Sequence, residues 1–284
     1  MTRYPHEATF NVDGLDCLLI TTMPQDLLPA VDIVIEELTA LAAVASLDLH
    51  DSEVSRLTRM ARFADITVPA SPVLIDYLSA ALWSADLTEG LVDPTAHRSS
   101  SGGSTLPGHG WERIEIGETT VSLPRGCVLD LSATASAHAA DLLALALADR
   151  FGGSGFLVSI DGDIAVAGVC PEGGWQIPVV NGSGRTLQLV STTHAALGRS
   201  DEAARGKVLI DPRTGDPASK IWTQVTVAAN TALEANAWAS ASVLLGEMAP
   251  AWLSNRGVTA RLERRTGTTR FTQGWPHPVA LTAA

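Results

Sequence analysis

Apolar residues recur along this chain with two different periods, and the irregular order of those periods constrains the fold most. Residues 9–22 carry β-branched and apolar side chains on either side of Asp13-Gly14, a turn signal between two strands. The period then changes. From Gln25 to Val44, Leu27, Val31, Val34, Ile35, Leu38 and Ala42 recur at helical spacing, with Asp32, Glu36 and Glu37 on the other face. Ser71-Pro72 opens another helix, with Ser as cap and Pro where its missing N–H costs nothing. Strands are expected at 112–123, 126–131, 155–168, 176–190 and 221–228, and helices at 134–150 and 232–245. Thr231 and Glu234 form a capping box for the last helix, and Gly246 fits its end. No regular β-α-β alternation appears, which favours an α+β fold of mixed sheets and helices over a doubly wound sheet. The expected organisation is a single domain over residues 1–284, with room for sub-lobes and a polar Gly/Ser loop at 98–110.

Charge and composition exclude several function classes. Lys and Arg total 19 against 31 Asp and Glu, a formal net charge of −12. Such a chain lacks the basic face that nucleic acid or an anionic membrane surface needs. No apolar run approaches the ~20 residues of a membrane span, and Met1 to Glu7 leads into no signal-like apolar stretch. A cytoplasmic protein is expected, with no nucleic-acid or membrane partner. Cys17, Cys127 and Cys170 are far apart and form no C-x-x-C pair, so they read as buried small hydrophobes in a reducing compartment. G-x-G-x-x-G, Walker A and H-E-x-x-H motifs are all missing. Gly152-Gly-Ser-Gly-Phe156 just misses a nucleophile elbow, and Ser154 reads as part of a turn.

Six segments, in order, carry a resemblance. They are Asp51-Ser-Glu-Val-Ser-Arg56, Gly90-Leu-Val-Asp-Pro-Thr95, Asp130-Leu-Ser-Ala-Thr-Ala-Ser-Ala-His-Ala-Ala-Asp141, Ile160-Asp-Gly-Asp-Ile164, Ile210-Asp-Pro-Arg-Thr-Gly-Asp-Pro217 and Glu234-Ala-Asn-Ala-Trp-Ala-Ser-Ala241. The fifth is the most specific, being similar to I-D-P-R-T-G-x-P. Together the six resemble the ApbE family, the FAD:protein FMN transferases. The resemblance implies an α+β fold and a phosphoryl transfer: FAD binds as substrate, Mg²⁺ sits on its pyrophosphate, FMN passes to a Ser or Thr hydroxyl of an acceptor protein, and AMP leaves.

Carried over residue by residue, the resemblance places Asp130 against FAD, together with the positions of Asp48, Leu91, Val92, Asp93, Ser136 and Ile210. It gives the metal the backbone carbonyl of Ala133 and the side chains of Asn236 and Ser240, four residues apart on one helix face. The family has Asp and Thr at those two helix positions, and an amide oxygen holds Mg²⁺ more weakly than a carboxylate. A helix residue hydrogen-bonded to a neighbouring loop is the alternative for Asn236. The family's His-His before I-I-D-P-R-T-G is replaced by Lys207 and Val208, and the stacking Tyr of F-S-x-Y by Asp48. The family's Lys and Gly in the fourth motif are Ser136 and Ala137 here, and the first Gly of G-G-[DN] is Asp161. Lys207, His138 and His194 are the candidates for the catalytic base. These departures leave two further readings beside transfer: a catalytically degenerate flavin-binding or structural paralogue, and a metal-dependent FAD pyrophosphatase with water in place of the acceptor hydroxyl.

Overall fold

The computed structural model describes residues 6–96, 110–180, 186–192, 196–201, 209–218 and 220–276. Its elements run β1 (Glu7–Val12), β2 (Leu15–Thr21), α1 (Leu27–Ala45), α2 (Glu53–Ala61), β3 (Ile66–Pro69), α3 (Pro72–Leu87), β4 (Glu115–Ile116), β5 (Thr120–Leu123), α4 (Ala135–Arg150), β6 (Gly155–Ile160), β7 (Asp163–Gly168), β8 (Trp175–Val180), β9 (Thr186–Thr192), β10 (Ala196–Asp201), β11 (Trp222–Ala229), α5 (Ala232–Leu245), α6 (Ala249–Asn255), β12 (Thr259–Arg264) and β13 (Thr269–Phe271).

Eight strands form one sheet in the order β1-β2-β6-β7-β10-β11-β12-β13, and every neighbouring pair is antiparallel. A small sheet β3-β5-β4 and the hairpin β8-β9 stand apart from it. Successive residues of a strand point to opposite faces, and here the two faces have different covers. Leu19, Phe156 and Val158 pack with Val34 and Leu38 of α1 and Leu143 and Leu147 of α4. Ile20, Leu157 and Leu197 pack on the other side with Trp175, Ile177 and Val190 of the β8-β9 hairpin. β6 is therefore buried along its whole length, which is why it reads as a nearly continuous apolar run. This mixture of helices and antiparallel sheets is the α+β class read from the sequence. None of the described helices is long and apolar enough to cross a membrane.

Local signals explain most elements. Asp13 (φ +49°) and Gly14 (φ +89°) both take positive φ, the turn that joins antiparallel strands with the right twist. The Ser71 hydroxyl accepts from Leu74 N at 3.1 Å and the Thr231 hydroxyl from Glu234 N at 3.1 Å, so both caps form. The capping box is incomplete, because Glu234 accepts from the backbone N–H of Asn230 rather than that of Thr231.

Other expectations need correction. No strand forms at 126–131; Gly126 N, Leu129 N and Asp130 N donate instead to Ala61 O, Thr58 Oγ1 and Pro94 O. Residues 112–123 hold two short strands after a 3₁₀ turn, and 176–190 holds parts of two strands. The helix α2 and the strand β3 were not read from the sequence. The loop expected at 98–110 lies, apart from Gly110, outside the described residues. Ser154 sits in a turn as expected, its hydroxyl donating to Asp26.

Candidate active site

α5 sets up the site because it is buried all round: twelve of its fourteen residues, Ala232 to Leu244 without a break except Glu234, are shut from solvent. Alanines on most of its faces let sheet and neighbouring helices approach closely. Polar side chains on such a helix need partners. Asn236 (6% exposed) and Ser240 (4%) are polar, one turn apart, and inside.

Three neighbours fix where Asn236 lies. Asp141 of α4 accepts from Ala232 N at 2.7 Å and Leu233 N at 2.9 Å, pinning the N-terminus of α5 by its unpaired backbone donors. Burial pushes the Asp141 carboxyl up, and those two backbone hydrogen bonds pull against it. Gly198 of β10 lies against the helix so closely that a Cβ there would stand 2.3 Å from Asn236 N. The third neighbour is Asp163, the first residue of β7, delivered by a hairpin turn in which Asp161 (φ +53°) and Gly162 (φ +91°) both take positive φ.

Asp163 is the centre of a buried polar cluster. The Asn236 Nδ2 group donates to both of its carboxylate oxygens, at 3.2 and 3.1 Å. The Ser136 hydroxyl donates at 3.1 Å and Arg199 N at 3.3 Å. Burial pushes the Asp163 carboxyl up to about 7 despite these donors, with the Asp161 charge adding to the rise. Nδ2 faces the carboxyl group, which leaves Oδ1 as the other end of the amide. Asn236 Oδ1 is buried with no hydrogen-bond partner among the described residues. An unmade bond of this kind costs about 1–3 kcal/mol.

Next to this cluster, the motif loops close on one another. Asp130 N donates to Pro94 O at 2.8 Å, joining the 130 turn to the 93–95 turn. Asp93 accepts from Thr95 N and Thr95 Oγ1, both at 2.7 Å, and Asp130 accepts from Ser132 N at 2.9 Å. The 210–217 loop folds back through an Ile210–Pro217 bridge, and Gly215 takes φ +75° to make the reversal. Arg213 holds Asp211 with two side-chain bonds, and its guanidinium also donates to Leu244 O at the end of α5. Burial pushes the Asp211 carboxyl up, but the Arg213 bonds outweigh it and hold it below the usual carboxylate range.

A cavity of about 50 Å³ opens between these loops, lined by Leu91, Val92, Asp93, Ala96, Asp130, Ser132, Ala133, Leu209 and Ile210. It is far below the ~300–1,000 Å³ of a pocket that buries a drug-sized ligand. α5 forms the packing behind it: Ala241 and Leu244 cluster with Leu91 and Val92, and Ala133 and Leu209 pack against them.

The sequence-derived candidates divide accordingly. Leu91, Val92, Asp93, Asp130, Ala133 and Ile210 share the cavity. Ser136, Asn236 and the unassigned Asp163 share the buried cluster. Asp48 is exposed and does not line the cavity. His138 is held away from it: Nε2 bonds Asp76 Oδ2 at 2.9 Å and the ring stands edge-on to Tyr77 at 4.8 Å. His194 and Lys207 lie outside the described residues. Sequence reasoning gave no role to Asp163, Asp141 or Gly198. The signal for the first was present, as a charged residue opening an otherwise apolar strand.

Among the described residues no group of three or more His, Cys, Asp or Glu is placed to hold a metal. The residues that the resemblance assigns to a metal, Ala133 through its carbonyl, Asn236 through Oδ1 and Ser240 through Oγ, offer uncharged oxygen, the atom type a hard cation takes. The partnerless Asn236 Oδ1 is the observation that favours it.

Comparison with known proteins agrees with this architecture. An FAD:protein FMN transferase of Klebsiella pneumoniae (strain 342) is 32% identical over 134 residues, 42% of this chain and 37% of that protein. The chain thus matches well under half the length of that curated relative. The ApbE protein of Thermotoga maritima superposes with a TM-score of 0.80 at 18% identity, covering 94% of this chain and 97% of the other. The flavin transferase ApbE of Vibrio cholerae gives 0.73 at 20%, covering 96% and 98%. The model of the ApbE family matches residues 18–262, and with the fold and motif loops in place, the chain belongs to the ApbE family.

Proposed function

We propose that this chain is an FAD:protein FMN transferase, moving FMN from FAD to a Ser or Thr hydroxyl of an acceptor protein. The observation that carries the reading is the convergence of Leu91, Val92, Asp93, Asp130, Ala133 and Ile210, drawn from three separate motifs, on one cavity. In the reaction the acceptor oxygen bonds to the phosphorus of the FMN half. The phosphorus–oxygen bond to the AMP half breaks, AMP leaves with the electron pair, and the hydroxyl proton passes to a base.

The chain's own residues bind and orient. The 91–93 and 130–133 turns, locked together by Asp130 N and Pro94 O, form the wall for the pyrophosphate. Ala133, Asn236 and Ser240 would hold Mg²⁺, which supplies the positive charge that a pyrophosphate needs beside an acidic protein. Of the base candidates, His138 does not line the cavity and its Nε2 is bonded to Asp76, which favours His194 and Lys207. Lys207 precedes the cavity-lining Leu209 by two positions and needs a lowered pKa to accept a proton at neutral pH.

A second reading, flavin binding without transfer, is favoured by the cavity lining, whose titratable groups among the described residues are only Asp93 and Asp130. One experiment separates the readings: incubation with FAD, Mg²⁺ and a peptide carrying the flavinylation Ser or Thr. Covalent flavin fluorescence on the peptide with equal AMP is the expected result. AMP and free FMN without peptide labelling indicate a pyrophosphatase. Bound FAD with no AMP indicates the binding paralogue and refutes transfer.

A further inference from the structure

We propose that Asp163 is a positioning residue that fixes the Asn236 side-chain amide with its oxygen toward the cation site and supplies beside it the negative charge that Asn236 lacks. The inference rests on the cation site proposed above.

An Asn amide has two ends of nearly equal shape and opposite chemistry, and its environment decides which end faces where. At Asn236 one neighbour decides. Nδ2 faces both oxygens of Asp163, at 3.1 and 3.2 Å, the orientation that an ionised carboxylate, which only accepts, selects. Oδ1, the other end of the amide, is buried and without a partner among the described residues. The reverse orientation would set oxygen against oxygen at Asp163 and present N–H groups to a cation, which would repel it.

Asp163 is itself held against turning. Ser136 Oγ donates to one carboxylate oxygen and Arg199 N to the other. The cluster therefore joins three strands or helices at a single side chain: α4 through Ser136, β10 through Arg199 and α5 through Asn236. A carboxylate and an amide in contact also form a pair whose members are close in shape. Exchanging them leaves one carboxylate, one amide and the same buried volume, but places the carboxylate on the helix, at the oxygen that faces the ion.

The test compares wild type, Asp163→Asn and the exchanged double variant Asp163→Asn/Asn236→Asp. Mn²⁺ is titrated into FAD-saturated protein, and free Mn²⁺ is followed by its EPR signal against an FAD-only blank. In Asp163→Asn the neighbour both donates and accepts, so the Asn236 amide loses its fixed orientation. Mn²⁺ affinity is expected to fall about 10–100-fold, the usual loss when a group orienting a ligand is removed. The thermal midpoint should not fall, since a neutral isostere replaces a buried carboxylate. The exchanged variant is expected to recover wild-type affinity or exceed it. A merely structural role for Asp163 moves the melting point and not this pattern of loss and recovery. Equal Mn²⁺ affinity in wild type and Asp163→Asn overturns the positioning role and leaves the cation site standing. FAD retention with no Mn²⁺ binding in wild type overturns the site and the positioning role together.

Discussion

Replacing Gly198 by alanine is expected to force β10 and α5 apart at the point where the proposed cation site is built. The added Cβ would stand 2.3 Å from Asn236 N, 2.4 Å from Ala235 C and 2.8 Å from Asn236 Cα. All three are helix backbone atoms, so no side-chain rotation relieves the clash. Optimal carbon contacts lie near ~3.5–4.0 Å, so strand and helix must separate by roughly 1 Å. Overpacking of this kind costs about 1–3 kcal/mol. The smaller unfolded-state entropy of alanine returns about 0.4–1 kcal/mol, leaving a net loss near ~1–2 kcal/mol. At about 2–4 °C per kcal/mol for a chain of roughly this size, the midpoint should drop by about 2–8 °C. Asn236 moves with its backbone, so Mn²⁺ affinity of the FAD-loaded protein should fall as well. Gly152→Ala is the control, because a Cβ there meets nothing within 4 Å and no positive φ is required; its midpoint should hold or rise slightly. Scanning calorimetry and urea melts of the three proteins decide it. A Gly198→Ala protein that melts within a degree of wild type and keeps its Mn²⁺ affinity refutes the close approach.

Two further expectations concern the same framework. Asp141→Ala removes the acceptor for Ala232 N and Leu233 N at the start of α5; with bonds to charged groups worth about 1.5–3 kcal/mol each, part of it offset by relief of a buried carboxylate, urea melts should show a loss of about 2–4 kcal/mol, while Asp141→Asn loses less. Burial pushes the Cys127 thiol up to about 12, so only about 10⁻⁴ of it is thiolate at pH 8, and a disulfide reagent should modify the half-buried Cys170 first and Cys127 only after unfolding. Equal rates at the two cysteines in the native protein would contradict the burial.

Some of this architecture was legible in the sequence because its causes are local. Asp13-Gly14, Ser71-Pro72 and Thr231 act on their immediate neighbours, and each does what its chemistry predicts. The strand expected at 126–131 shows the limit. Its alternation is real, since Cys127, Leu129 and Leu131 are all buried. Alternation reports burial of one face, however, and not a ladder, and here the backbone donors go to loops. α2 carried its signal too: Ser52 caps it by accepting from Ser55 N, and Val54, Leu57 and Ala61 point inward. The segment was read only as a motif. Of the cavity loops, Asp93-Pro94 and Asp211-Pro212 to Gly215 carry turn-forming residues in their motifs, whereas the turn at Asp130, with neither Pro nor Gly, was expected as the end of a strand. The Asp163–Asn236 pair was not legible, because 73 residues separate its members and only the packing of β7, β10 and α5 brings them together.

The strand order also carries a consequence for synthesis. β2 meets β1 across a two-residue turn, but its other edge waits for β6, where Thr21 meets Phe156. Those partners are 135 positions apart in the chain. At about 5–20 residues per second, translation leaves that edge unmatched for roughly 7–27 s. During that interval Leu18, Leu19 and Ile20 line an open row of backbone donors and acceptors, the kind of edge that recruits foreign strands. The nascent chain is thus open to self-association at that edge while the β6-β7 hairpin that will cover it has yet to be made.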